Sequence, residues 1–170
     1  DPFDTVGINA ILNPQNIFYG AGYARSLKPT FFLADIAEKT NLGDNRVYTL
    51  GRELARDLLT IPALTQDDCV ILRQESATLF LWDSIFYIKK SARPALKFAL
   101  DSCGLKNQEP KALQPHLTKI LAVLKDNYIY HEIGELHDTA FDREIWREII
   151  AAYPYSPVEY LARAVKDLLA

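Results

Sequence analysis

Residues 46–62, RVYTLGRELARDLLTIP, decide how the rest of the chain is read. Apolar side chains recur there at Val47, Leu50, Leu54, Leu58 and Ile61. Intervals of three and four residues match one face of an α-helix, and strict alternation, the mark of a half-buried strand, is absent. The stretch predicts an amphipathic helix that Pro62 ends.

The same reading extends in both directions. Downstream, Thr65 with Asp68 resembles a capping box, with Asp in place of the usual Glu. It would open a helix over about residues 66–90. The middle of that segment, ATLFLWDSIFYI, is apolar on most sides, as buried helices are. Upstream, Pro14 suits the first turn of a helix reaching Leu27, although Gly20 and Gly22 would each weaken it by about 1 kcal/mol relative to alanine. Pro29 suits the start of a helix PTFFLADIAEKT, with Phe32, Leu33, Ile36 and Ala37 as its apolar face. Residues 41–45, NLGDN, read as a loop.

In the second half, Pro94 opens a short helix that Gly104 ends. The polar connector LKNQEPKALQ follows, and a subdomain boundary would fall near residues 104–112. A long helix is expected from Pro115 through NYIYHEIGELHD, residues 127–138, and another over TAFDREIWREIIAAY. The last begins at Ser156-Pro157-Val158-Glu159, a full capping box with proline at the first helical position. The expected fold is all-α: a single domain of about seven helices, an irregular bundle around the central long helix at residues 66–90.

Composition narrows function by exclusion. Hydrophobic residues are 49% and charged residues 24%, values of an ordinary globular domain. The net charge of −3 is spread evenly along the chain, with no basic run to neutralise a phosphate backbone, so nucleic acid is not an expected partner. No uncharged apolar run approaches a membrane span. Cys69 and Cys103 form no C-x-x-C and read as free thiols of a reducing compartment, so the expected location is cytoplasmic. The chain starts at Asp1 and contains no methionine, which suggests that its native start lies upstream.

The sharpest chemical signal is in residues 127–138. His131 and Glu135 are one helical turn apart and Asp138 follows three residues later, so one imidazole and two carboxylates share a face. Such donors suit iron, manganese or zinc. Partner ligands would come from other helices, with Asp35, Glu38, Glu53, Glu75 and Asp83 as candidates, Glu75 or Asp83 foremost. The Glu-x-x-His motif of di-iron bundles is not present. Orientation is ambiguous. The spacing of Leu117, Leu121, Leu124 and Tyr128 carries the cluster into the core, whereas Ile129, Ile133 and Leu136 turn it outward. A helix break at Lys125-Asp126-Asn127 is the favoured resolution, leaving the cluster on a rim.

A second candidate is an anion site at Arg25, Lys28 and Thr30, around the helix start expected at Pro29. Gly20-Ala-Gly22 lacks the third glycine and the preceding strand of a dinucleotide fingerprint. The expectation for function is therefore a soluble helical binding or interaction domain for a small ligand or a protein partner, a second copy included. The alternative is a helical metalloprotein or metalloenzyme with a divalent metal at His131, Glu135 and Asp138.

Overall fold

The computed structural model describes residues 1–24, 27–106, 109–138 and 142–169. It is a mixed α/β fold, which overturns the all-α bundle expected from the sequence. Helix α1 (Thr5–Leu12) leads into strands β1 (Ile17–Tyr23), β2 (Pro29–Leu42), β3 (Asn45–Arg56), β4 (Ala63–Gln66) and β5 (Cys69–Arg73). Helices α2 (Gln74–Phe86), α3 (Arg93–Ser102), α4 (Pro110–Leu113), α5 (Leu117–His137), α6 (Arg143–Ala152) and α7 (Pro157–Leu169) follow. The strands form one sheet in the order β1-β2-β3-β5-β4, antiparallel except for the parallel β3–β5 pair. The sheet curls into a half-barrel.

The deciding stretch is a strand because both of its faces are covered. Val47 packs outward with Val70, Leu72 and Ile129 of α5. Leu50 packs inward with Phe18, Phe32, Ala34 and Ile71. A strand buried on both sides shows no alternation of polar and apolar residues, so its pattern is silent. The helical spacing that continues to Leu58 has no structural counterpart, for Leu58 lies beyond β3 and is 96% exposed.

The other misread segments have equally local causes. In β1, the glycines that argue against a helix are placed for close packing. A Cβ on Gly20 would come within 2.0 Å of the Phe32 ring. The segment PTFFLADIAEKT lies in β2, whose register with β3 shifts after Leu33, Ala34 and Ile36. The shifts bend the ribbon, which helps the sheet to curl. Phe32, Ala34 and Ile36 keep a period of two toward the inner core, and the apolar Phe31 and Leu33 beside them mask it in the sequence. The expected central helix does not exist as one element. Residues 69–73 are β5, buried throughout, and α2 starts only at Gln74. Thr65 is in β4, and Asp67 and Asp68 take positive φ values of 49° and 59° in the tight β4–β5 turn. Two left-handed residues in a row suit a hairpin, and Asp tolerates that region better than most side chains.

Helix signals in the second half fare better. Gly104, at φ +76°, follows α3 as its stop residue. At the start of α7 the Glu159 N–H donates to Ser156 Oγ at 3.4 Å, and Glu159 Oε2 accepts from Tyr155 N at 2.7 Å. The connector expected after Gly104 includes residues 107 and 108, which lie outside the described residues. Helix α5 runs unbroken through Lys125, Asp126 and Asn127. It buries Leu117 and Leu121 near its start and lays Ile129 on the outer face of the sheet. Among the described residues no helix is long and apolar enough to cross a membrane.

The two free edges of the curled sheet, β1 and β4, meet through side chains. Asn9 of α1 accepts from Tyr19 N and donates to Tyr19 O, both at 2.8 Å. Gln66 of β4 accepts from Ala21 N at 3.0 Å and donates to Tyr19 O at 3.1 Å. Each carboxamide thus offers β1 the N–H and C=O contacts that a neighbouring strand would, which blunts an otherwise exposed edge.

Candidate functional site

A cleft of about 670 Å³ opens where β1 and β4 are not joined, and charged side chains from α5, α7 and β5 converge on it. Gly22, Tyr23, Ala63, Leu64 and Thr65 supply its two strand walls. A Cβ on Gly22 would meet nothing within 4 Å, so that wall is open. Phe32 and Arg73 line the inner face of the half-barrel, and Glu132, Glu135, Trp146, Arg163 and Lys166 approach from α5, α6 and α7.

Arg73 organises the floor. It ends β5, and its period places it on the same inward face as Ile71. The guanidinium carbon sits 4.1 Å from the centroid of the Phe32 ring. Its Nε donates to Glu53 Oε1 at 2.8 Å, and the two side chains are 1% and 2% exposed. Glu53 is held in turn by Ser76 Oγ at 2.8 Å and by Arg56 Nε, which pairs with Oε2 at 3.1 Å. The Arg73–Glu53 contact therefore engages only Nε of the guanidinium, and Nη2 is buried with no partner.

Two further donors share this condition. Arg163 Nε donates to Glu159 Oε1 at 3.0 Å and its guanidinium lies 5.3 Å from the Trp146 ring centroid. Its Nη2 and the indole Nε1 of Trp146 are buried without an acceptor. Lys166 pairs with Glu135 Oε2 and lies over the same indole. Burial, reinforced by the Glu135 charge, pushes Glu132 up to about 7, with Lys166 opposing the shift.

The predicted metal cluster is partly assembled. His131 Nε2 lies 3.5 Å from Glu135 Oε1, on the half-buried side of α5. The third donor residue is Asp167 of α7 rather than Asp138, and one donor atom from each of the three lies within 4.8 Å of the others. Asp138 is the C-cap of α5. Glu75 and Asp83 are exposed on α2, and Glu75 Oε2 accepts from Glu53 N at 2.8 Å; neither joins the cluster. Lys166 already neutralises Glu135 from the cleft side, which disfavours a cation there.

The predicted anion site loses its framework, because Pro29 opens a strand and not a helix. Arg25 lies outside the described residues. Lys28 is on the surface with its ammonium over the Tyr155 ring, whose phenol oxygen raises the lysine's pKa. Thr30 lines the cleft but donates its hydroxyl to Asp57 Oδ2. Sequence reasoning passed over Arg73, Trp146 and Arg163. One signal was available: an arginine closing the apolar run Cys69-Val-Ile-Leu72 has to be buried with it.

The class these features define is an α/β protein with an open, curled sheet and a helical cover, holding a donor-rich cleft between the two. The chain belongs to the family of unknown function DUF6866, whose N-terminal domain matches residues 1–73 and whose C-terminal domain matches residues 78–170. The junction of the two matches falls where β5 gives way to α2, so the cleft draws on both. No curated protein and no solved structure matches the chain.

Proposed function

We propose that this is a binding domain for a ligand that presents an anionic oxygen group, a carboxylate or a phosphate, beside an apolar portion. One observation carries the reading: Arg73 Nη2, Arg163 Nη2 and Trp146 Nε1 are buried donors without acceptors, and all three residues line one cleft. A buried unmet donor costs about 1–3 kcal/mol, so three of them in one cleft are a standing cost that an incoming oxygen ligand would relieve. Arginine forks suit carboxylate and phosphate. Phe32, Phe80 and Leu64 supply the apolar wall. Cys69 and Cys103 are both free thiols, which suits a reducing compartment such as the cytoplasm.

Thermal unfolding in acetate and in inorganic phosphate tests this. At a ligand concentration of about 100 Kd the folded state gains about 2.7 kcal/mol, and the midpoint should rise by roughly 5–10 °C. Trp146→Phe removes one N–H and keeps the ring stacking, and should lose a clear part of that rise. Arg163→Gln should lose more. If neither anion moves the midpoint of the wild type, the reading fails.

A second reading places a divalent metal at His131, Glu135 and Asp167, favoured by the convergence of three donor atoms of suitable chemistry. In calorimetry, zinc should bind the wild type and not a His131→Ala variant. Equal heats for the two proteins would dismiss it.

A further inference from the structure

We infer that the anionic group is the C-terminal carboxylate of an extended peptide, which enters as an additional strand between β1 and β4. This rests on the anion-binding reading above and names its ligand. The argument is the nature of the cleft walls. An antiparallel ladder points the N–H and C=O of alternate residues to alternate sides. On β1 the contacts to Asn9 and Gln66 show that Tyr19 and Ala21 face away from β2. Tyr23, two residues on, faces the same way, and this end of β1 lines the cleft. On β4, Pro62 O accepts from Arg73 N at 2.8 Å, so Pro62, Leu64 and Gln66 face β5. Ala63 and Thr65 then face the cleft.

The cleft is therefore walled by two strand edges. β1 runs antiparallel to β2, parallel to β3 and β5, and hence antiparallel to β4. A guest strand can satisfy both edges at once, which a compact phosphate ester has no backbone to do. The molecule already contains the model contact. Gln66 inserts one amide into this gap at its closed end and pairs with β1 through both its oxygen and its nitrogen. Charge complementarity selects the end of a chain: Arg73, 1% exposed and with its Nη2 unpartnered, lines the cleft together with Arg163, whose Nη2 is also unpartnered, and Lys166. Gly22 leaves room for a guest backbone to approach.

The probe is an equimolar pool of acetylated pentapeptides built from valine, threonine and leucine, made with a free C-terminal carboxylate and, separately, as the carboxamide. The carboxylate pool should bind at least tenfold tighter than acetate and at least tenfold tighter than the amide pool. Amide protons of Tyr23, Ala63 and Thr65 should become protected from exchange in its presence. A carboxylate pool no tighter than acetate, with acetate and phosphate still raising the unfolding midpoint, overturns the peptide and leaves the anion site standing. An amide pool that binds equally well overturns it too, because the terminal charge is then not read. If peptides, acetate and phosphate all fail, both readings fall together.

Discussion

Glu53→Ala should be among the most damaging single substitutions in the chain, costing about 3–5 kcal/mol of stability. Its partner Arg73 is 1% exposed and, among the described residues, has this carboxylate alone as an ionic anchor at Nε. Removing the acid leaves a guanidinium charge buried and unpaired, and such a charge can escape its cost only by unfolding or by admitting water. For a domain of this size the loss corresponds to a fall of about 10 °C in the unfolding midpoint. Arg56→Ala is the matched control. It removes the other ion pair to Glu53, but Arg56 is 30% exposed, and a loss within about 1 kcal/mol is expected. The double variant Glu53→Leu with Arg73→Met should recover most of the loss, because replacing a buried pair with apolar side chains is often neutral. It should also abolish the anion response. A Glu53→Ala midpoint within two or three degrees of wild type would show that Arg73 does not depend on this contact.

The helices after Arg93 declare themselves through end signals, Gly104 and the Ser156–Glu159 box, because those signals are chemical and local. The sheet declares itself nowhere. The middle of β3 and most of β5 are sandwiched between the inner core and α5, so Val47, Leu50, Val70, Ile71 and Leu72 put apolar side chains on both faces, and charge enters toward the strand ends, as at Arg46 and Arg73. In β2 the period of two holds at Phe32, Ala34 and Ile36, but Phe31, Leu33 and Ala37 are apolar as well, so the alternation does not show in the sequence. A long-range pairing such as Gly20 against Phe32 determines which glycines are tolerable, and periodicity within one segment carries no trace of it.

The candidate site was legible to a similar extent. His131 and Glu135 share a helix, so their proximity follows from spacing alone, and the structure brings them together. Asp167 replaces Asp138 because α7 packs beside α5, a tertiary fact. The cleft itself needs β1, β2, β4, β5 and four helices in register, and Arg73, Trp146 and Arg163 are separated in sequence by too much for any motif to join them.

The second large effect is a pH dependence carried by Glu132. Burial is the main reason its carboxyl holds a proton up to about 7, and the neighbouring charges of Glu135 and Asp167 add to it against Lys166. An unfolded glutamate ionises near 4.5. Between those values the folded chain binds more protons at this site than the unfolded chain, so stability falls as pH rises, by up to about 1.4 kcal/mol per pH unit. Below about 4.5 the group carries no penalty, and above 7 it carries the whole of it, on the order of 3 kcal/mol. Glu132→Gln keeps the shape and removes the ionisation. It should therefore stabilise the protein at pH 8 by up to about 3 kcal/mol and lose that advantage progressively toward pH 4.5. Comparing variant with wild type at each pH cancels the titrating groups that do not interact with Glu132. The same proton bears on the cleft. A neutral Glu132 is a donor beside Arg163 and Lys166, whereas an ionised one is a competing anion. Anion binding to the wild type should weaken as pH rises through 7, and the Gln variant should lose that step. If the two proteins keep the same stability difference from pH 5 to pH 8, Glu132 is not buried as a neutral acid and the pH coupling to the cleft is wrong.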